Sequence, residues 1–143
     1  SGLQTQARGS DPGMDAIHKA ITLSRVTGRA VPNAIVMHSN NWQYLRLTRT
    51  ADGIYILGNP GDNAPARLWG LPVAFNEAIT AGTAVVGDFT NYCIMAERRG
   101  LTVDVGWINT NFIRGMKCVR ATVRVAMVWT RGEAFVQVTS LQS

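Results

Sequence analysis

With 143 residues, 46% of them hydrophobic and only 16% charged, the chain describes a folded globular protein with about one hydrophobic core. No apolar run approaches the roughly 20 residues of a membrane-crossing helix, and the N-terminal residues lack the charged-then-apolar pattern of a secretory leader. The formal net charge of +5 favours polyanionic partners, and the low charge content hints at surface buried against neighbours.

Residues 1–13 are rich in Gly, Ser, Gln and Asp without periodicity, and read as a linker, a remnant or a frayed end. Ile17, Ala20, Ile21, Ser24 and Arg25 then recur at helical spacing, with Asp11-Pro12 as a start and Gly28 as a stop. Val31-Pro32-Asn33 is a turn, and Ala34-Ile35-Val36-Met37 has strand length and the apolar character of a strand buried on both faces. Ser39 or Asn40 can cap a second helix bearing Trp42, Leu45 and Arg49. Asp52-Gly53 is a hairpin signal, and residues 58–66, with two Gly, two Pro, two Asn and an Asp, form a loop. Leu68 to Val73 contains Pro72, which places it at a sheet edge or strand entry.

Residues 83–89 read as a strand, and residues 92–97 and 101–105 as two strands paired around Arg99-Gly100. The clearest pattern lies at 117–129: Val119, Ala121, Val123, Val125, Met127 and Trp129 share one face and Cys118, Arg120, Thr122 and Arg124 the other. This is a long strand, expected to bury Val119, Val123, Val125 and Met127. Arg131-Gly132 turns it into a partner strand at 134–139. The sum is an α+β fold with one mixed sheet, two helices and seven or eight strands.

Catalytic chemistry finds no footing in the chain. There is no G-x-S-x-G elbow, P-loop, G-x-G-x-x-G or H-E-x-x-H. His18 and His38 are the only histidines and recruit too few local ligands for a metal site. The nine carboxylates form no sequence-local pair, although a fold can assemble one. Cys93 and Cys118 fit neither a disulfide framework nor a metal spacing, and read as reduced, intracellular thiols. The expectation is therefore no enzyme, no cofactor and no metal.

The most unusual charge feature is a basic stripe. Between Asp104 and Glu133 there is no acid, while Arg114, Lys117, Arg120, Arg124 and Arg131 all lie there. Their countercharges come from another segment, another subunit or a polyanion, unless the face is simply solvated. The aromatic interleaving of a base-stacking platform is missing, so nucleic-acid contact here would be to phosphate and salt-sensitive.

Taken in order, several segments resemble one family. Ala34-Ile35-Val36-Met37-His38-Ser39-Asn40-Asn41-Trp42 is similar to its strand, capping turn and Trp-bearing helix. Asp52-Gly53-Ile54-Tyr55-Ile56-Leu57-Gly58 resembles its next hairpin, and Arg67-Leu68-Trp69-Gly70-Leu71-Pro72-Val73 its most recognisable motif. Ala81-Gly82-Thr83-Ala84-Val85-Val86-Gly87-Asp88-Phe89 and Asn111-Phe112-Ile113-Arg114 follow, and residues 120–135 resemble its closing strand and turn. The family is that of tailed-bacteriophage major capsid proteins of the Hong Kong 97-like fold, and the resemblance runs from about residue 14 to 141.

The resemblance implies an axial (A) domain at 14–105 and return strands of a peripheral (P) domain at 106–143, with arm, extended loop and spine helix lying upstream. It implies a virion structural protein, made in the host cytoplasm, whose copies build the hexamers and pentamers of an icosahedral shell around double-stranded DNA. Arg114, Lys117, Arg120 and Arg124 become candidate intersubunit or phosphate contacts. Asn59, Pro60, Gly61, Asp62 and Asn63 become the candidate loop at the capsomer axis; Trp42 and Trp69, as large aromatics, read as core residues, with interface anchors as the alternative. Some members join subunits through a lysine–asparagine bond promoted by a glutamate. Here the asparagine position is Gly115 and the glutamate position Thr122, so the resemblance implies no crosslinking. Rival readings are an encapsulin-like compartment, a small basic nucleic-acid-binding module, and an enzyme of unrecognised type.

Overall fold

The computed structural model describes residues 2–58, 61 and 65–141. Contacts divide the chain in two: Cys93–Trp129 forms one unit, and the chain before and after it forms the other.

The larger unit is built on strands β1 (Gln4–Ala7), β2 (Ala34–Met37), β3 (Arg67–Leu68), β4 (Leu71–Phe75), β5 (Ala84–Gly87) and β8 (Phe135–Thr139), the numbers β6 and β7 belonging to the other unit. They form one mixed sheet in the order β1-β8-β5-β2-β4-β3. β1 runs parallel to β8 and β2 parallel to β4, and the other neighbours are antiparallel. The register stacks apolar residues in rows. Val73, Ile35, Val86 and Val136 are successive cross-strand neighbours, and so are Met37, Ala84 and Val138. All seven are buried, because the period of two sends each to the same face.

That face is covered by α1 (Gly13–Val26), which packs on β8 and β5 and buries Ala16, Ile17, Ala20, Ile21 and Ser24. Their spacing is the helical stripe of the sequence. The helix ends at Val26, and Gly28 just beyond it is glycine for a steric reason: a Cβ there would lie 2.3 Å from the Glu133 carbonyl oxygen and 2.5 Å from that of Ser24. A second helix, α2 (Ser39–Arg46), contributes Leu45 to the core and uses buried Asn41 to hold the loop before β5. The Asn41 amide donates to the Thr83 carbonyl at 2.7 Å and accepts from the Gly82 N–H at 2.8 Å. A one-turn helix, α3 (Phe89–Tyr92), follows β5, with buried Asp88 accepting from the Asn91 N–H and amide.

Several expectations need correcting. Residues 4–7 form strand β1, so 1–13 is not all linker. β2 is buried on one face only, with Ala34 and Val36 half-buried. The cap of α2 is His38, whose Nδ1 accepts from the Asn40 N–H at 3.0 Å, and not Ser39 or Asn40. Asp52-Gly53 gives a turn with a single bridge, Arg49 to Tyr55, and no extended hairpin.

The smaller unit is a separate two-stranded antiparallel ribbon of β6 (Cys93–Gly106) and β7 (Cys118–Trp129). Arg99-Gly100 therefore does not turn the chain. It lies inside β6, where two register shifts, between Glu97 and Arg99 and between Arg99 and Thr102, accommodate extra residues. The predicted partnership of 117–129 with 134–139 is also replaced: β8 crosses back into the larger sheet, so the described residues form two sheets and not one. The boundary expected at Val105 falls within β6, and residues after Thr130 rejoin the first unit.

Candidate functional site

The ribbon carries the largest run of exposed apolar side chains among the described residues. At about 3.3 Å per residue, β7 spans roughly 40 Å. In an antiparallel pair, directly opposed residues share a face, so the register sorts the side chains. Val105 opposes Val119, Val103 opposes Ala121, Met95 opposes Met127 and Cys93 opposes Trp129. With Val123 and Val125 these make one face apolar, interrupted by Glu97 opposite Val125. The expectation that Val119, Val123, Val125 and Met127 are buried is wrong: they are 50–67% exposed. The alternation is present in the structure, but among the described residues the face it creates stays exposed.

The other face carries charge. Arg120 opposes Asp104 and donates to its carboxylate at 3.0 Å, both side chains remaining mostly exposed. The stripe thus draws one countercharge from a neighbouring strand. Farther along, Thr102 opposes Thr122 and Arg99 opposes Arg124. Lys117 sits 5.9 Å from the centre of the Trp107 ring, and Trp107 packs edge-on against Phe112. Arg114 lies exposed in the connection between the strands. Among the described residues no carboxylate lies within 4.0 Å of Arg98, Arg99, Arg114, Lys117 or Arg124. Of the four predicted contact residues, Arg120 and Arg124 share the polar face of β7, four residues apart. Arg98 and Arg99 carry no such signal in the sequence, because Arg99-Gly100 resembles a turn, and only the long-range register shows Arg99 facing Arg124.

Of the candidate axis loop, Asn59, Pro60, Asp62 and Asn63 lie outside the described residues, and only Gly61 falls within them. His18 meets the Trp69 ring edge-on at 4.7 Å, and His38 Nε2 lies 2.9 Å from a Glu77 carboxylate oxygen. Trp42 packs against the core as expected, but Trp69 is 52% exposed. It occupies the β3–β4 turn with φ 53°, its indole N–H reaching the Met14 carbonyl at 3.1 Å, so it lies over the start of α1 instead of inside. Cys93 and Cys118 are free and stand at opposite ends of the ribbon. Among the described residues no cluster of three His, Cys, Asp or Glu could hold a metal, and no helix is long and apolar enough to cross a membrane.

Comparison with known proteins gives concordant results. The model of the phage capsid family matches residues 2–140. The chain is 31% identical over 108 residues to the major capsid protein of Enterobacteria phage HK97, covering 75% of this chain and 28% of that protein. Its fold matches the capsid of an empty GTA particle with TM-score 0.74 at 23% identity, covering 96% of this chain and 49% of the other. Gordonia phage Cozz gives TM-score 0.74 at 14% identity, with coverage of 97% and 50%. A virus-like particle from Pyrococcus furiosus matches at 0.65 with 10% identity, covering 96% of this chain and 56% of that one. The chain spans about half the length of these solved structures and less of the HK97 protein. The α+β fold is that of Hong Kong 97-like phage capsids.

Proposed function

The chain belongs to the phage capsid family, and from that premise we propose that it is a shell-forming part of a tailed-phage or prophage major capsid protein. Its copies assemble as hexamers and pentamers of an icosahedral shell enclosing double-stranded DNA. The observation that carries this reading is the ribbon's apolar face. Seven valine and methionine side chains on one face of the ribbon, interrupted by Glu97 and exposed among the described residues, are far more apolar surface than a monomer ordinarily leaves exposed. A shell subunit needs such surfaces, because every copy must bury area against several others.

In this reading the sheet-based unit is the axial domain and the ribbon belongs to the peripheral domain. This differs from a simple split at Val105, and its support is the contact division at Cys93 and Trp129. Gly61 and its neighbours remain the proposed axis loop. Arg114, Lys117 and Arg124 remain available to partner subunits or phosphate, with Arg120 already engaged by Asp104.

Electron microscopy of the whole protein expressed with its packaging partners tests the proposal. Closed particles of uniform size containing nuclease-protected DNA are expected. Uniform particles empty of nucleic acid would favour an encapsulin-like compartment. A soluble monomer that binds DNA without assembling would favour the basic module and overturn the shell reading.

A further inference from the structure

The register shifts in β6 have a consequence for charge. Opposing like charges on a two-stranded pair destabilise it, yet Arg99 stands directly across from Arg124. Between Glu97 and Arg99 the shift inserts Arg98 without a cross-strand partner. Beside it is a groove of about 350 Å³ lined by Ala96, Glu97, Arg98, Arg124, Val125 and Ala126. Bulges re-aim side chains, and this one brings Arg98, Arg99 and Arg124 into one short stretch of ribbon, with Arg98 and Arg124 lining the same groove. Glu97 is the one acid there. It opposes Val125 on the apolar face and makes no ion pair with any of the three among the described residues.

Two occupants could neutralise this cluster: carboxylates of another copy or the phosphates of a nucleic acid. The distribution of charge decides between them. Six of the fourteen Lys and Arg and two of the nine acids lie in Cys93–Trp129, so this unit holds a formal +4 of the chain's +5. The remainder of the chain is close to neutral, and its acids are partly committed: Asp11 to Lys19, Glu77 to His38, and Asp88 to its buried network. A second copy of this chain therefore brings no excess of negative charge, whereas a phosphodiester backbone does. Guanidinium groups also match phosphate in a bidentate fork.

We propose that Arg98, Arg99 and Arg124 form a phosphate-backbone contact site for double-stranded DNA on the charged face of the β6–β7 ribbon. This rests on the shell reading for its biological setting but not for its chemistry. Contact is independent of base sequence, since no aromatic platform lies on that face, and it is governed by counterion release.

The test is fluorescence anisotropy of a labelled DNA duplex with the 143-residue chain across a range of salt concentrations. Each phosphate contact contributes roughly 0.9 to the log–log salt slope, so Arg98→Gln/Arg99→Gln/Arg124→Gln should reduce the slope by nearly 3. The charge-matched control Arg25→Gln/Arg29→Gln/Arg67→Gln, all exposed on the larger unit, should reduce it much less. Replacing the same three ribbon arginines by lysine should restore most of the slope, which separates charge from folding. Equal losses in the ribbon and control variants would overturn the site. So would a ribbon variant that leaves DNA binding unchanged but alters oligomer size in light scattering, because the occupant would then be a carboxylate of another copy. Failure of the whole protein to form shells would overturn the shell reading without changing these slopes.

Discussion

Individual positions show how far backbone space dictates residue choice. Gly28 has carbonyl oxygens, not flexible side-chain ends, where its Cβ would go. Gly28→Ala should therefore cost about 1–3 kcal/mol by forcing the end of α1 away from the turn at Glu133. Gly106→Ala meets nothing within 4 Å and should change stability by less than about 0.5 kcal/mol, so urea melts of the two variants give a matched comparison. Asn41→Ala removes both hydrogen bonds of a buried side chain and leaves the Thr83 carbonyl and Gly82 N–H without their partner, costing about 1–3 kcal/mol in the same assay. Gly115 has φ 66°, the left-handed conformation that glycine adopts freely and asparagine tolerates. Because it offers no carboxamide and Thr122 no carboxylate, assembled whole protein should run as a single monomer band on a denaturing gel. A ladder of covalent multimers would show that another pair of residues performs the linkage.

The elements themselves separate into those that period and composition reveal and those that only long-range pairing reveals. The stripe Ile17, Ala20, Ile21, Ser24 identified α1, and the alternation of 117–129 identified β7, because each pattern is local. What β7 packs on is not local. Its partner β6 reads in sequence as two short strands, since Arg-Arg-Gly is good turn chemistry and the residue that pairs with Arg99, Arg124, lies 25 residues away. The fate of β8 was hidden for the same reason. At the ribbon the candidate contact set legible in sequence is Arg114, Lys117, Arg120 and Arg124, while the pairing of Arg99 with Arg124 needs the register. The core and the ribbon should also respond differently to mutation. Ile17→Ala, fully buried beneath the sheet, should cost about 2–5 kcal/mol. Val123→Ser and Val125→Ser, on the exposed face, should cost the isolated chain less than about 0.5 kcal/mol each. In the whole protein, Val125→Asp should nevertheless abolish particle formation in electron micrographs, because a charge would enter the surface proposed to be buried between or within subunits.

At the scale of the molecule, a chain that matches only about half of its structural relatives should fold without closing a shell. The sheet-based unit has its own core, so light scattering of the purified chain should report a monomer or small oligomer. Particles of uniform shell size would mean that the rest of the protein is dispensable for assembly. The ribbon leaves the larger unit after Tyr92 and the chain returns at Thr130, where the Thr130 N–H donates to the Tyr92 carbonyl at 3.1 Å. Only after this excursion comes β8, which sits between β1 and β5 and joins Gln4 to a partner at Val136. The sheet is therefore synthesised with a gap at the place where its first strand must attach, and local contacts cannot fill it. On the ribosome, α1 would wait with its apolar stripe only partly covered, by β5, until residues 135–139 emerge. The topology acts as a timer: a nascent subunit cannot complete its core before its ribbon has been made, and a chain cut short before β8 should be degraded instead of entering a growing shell.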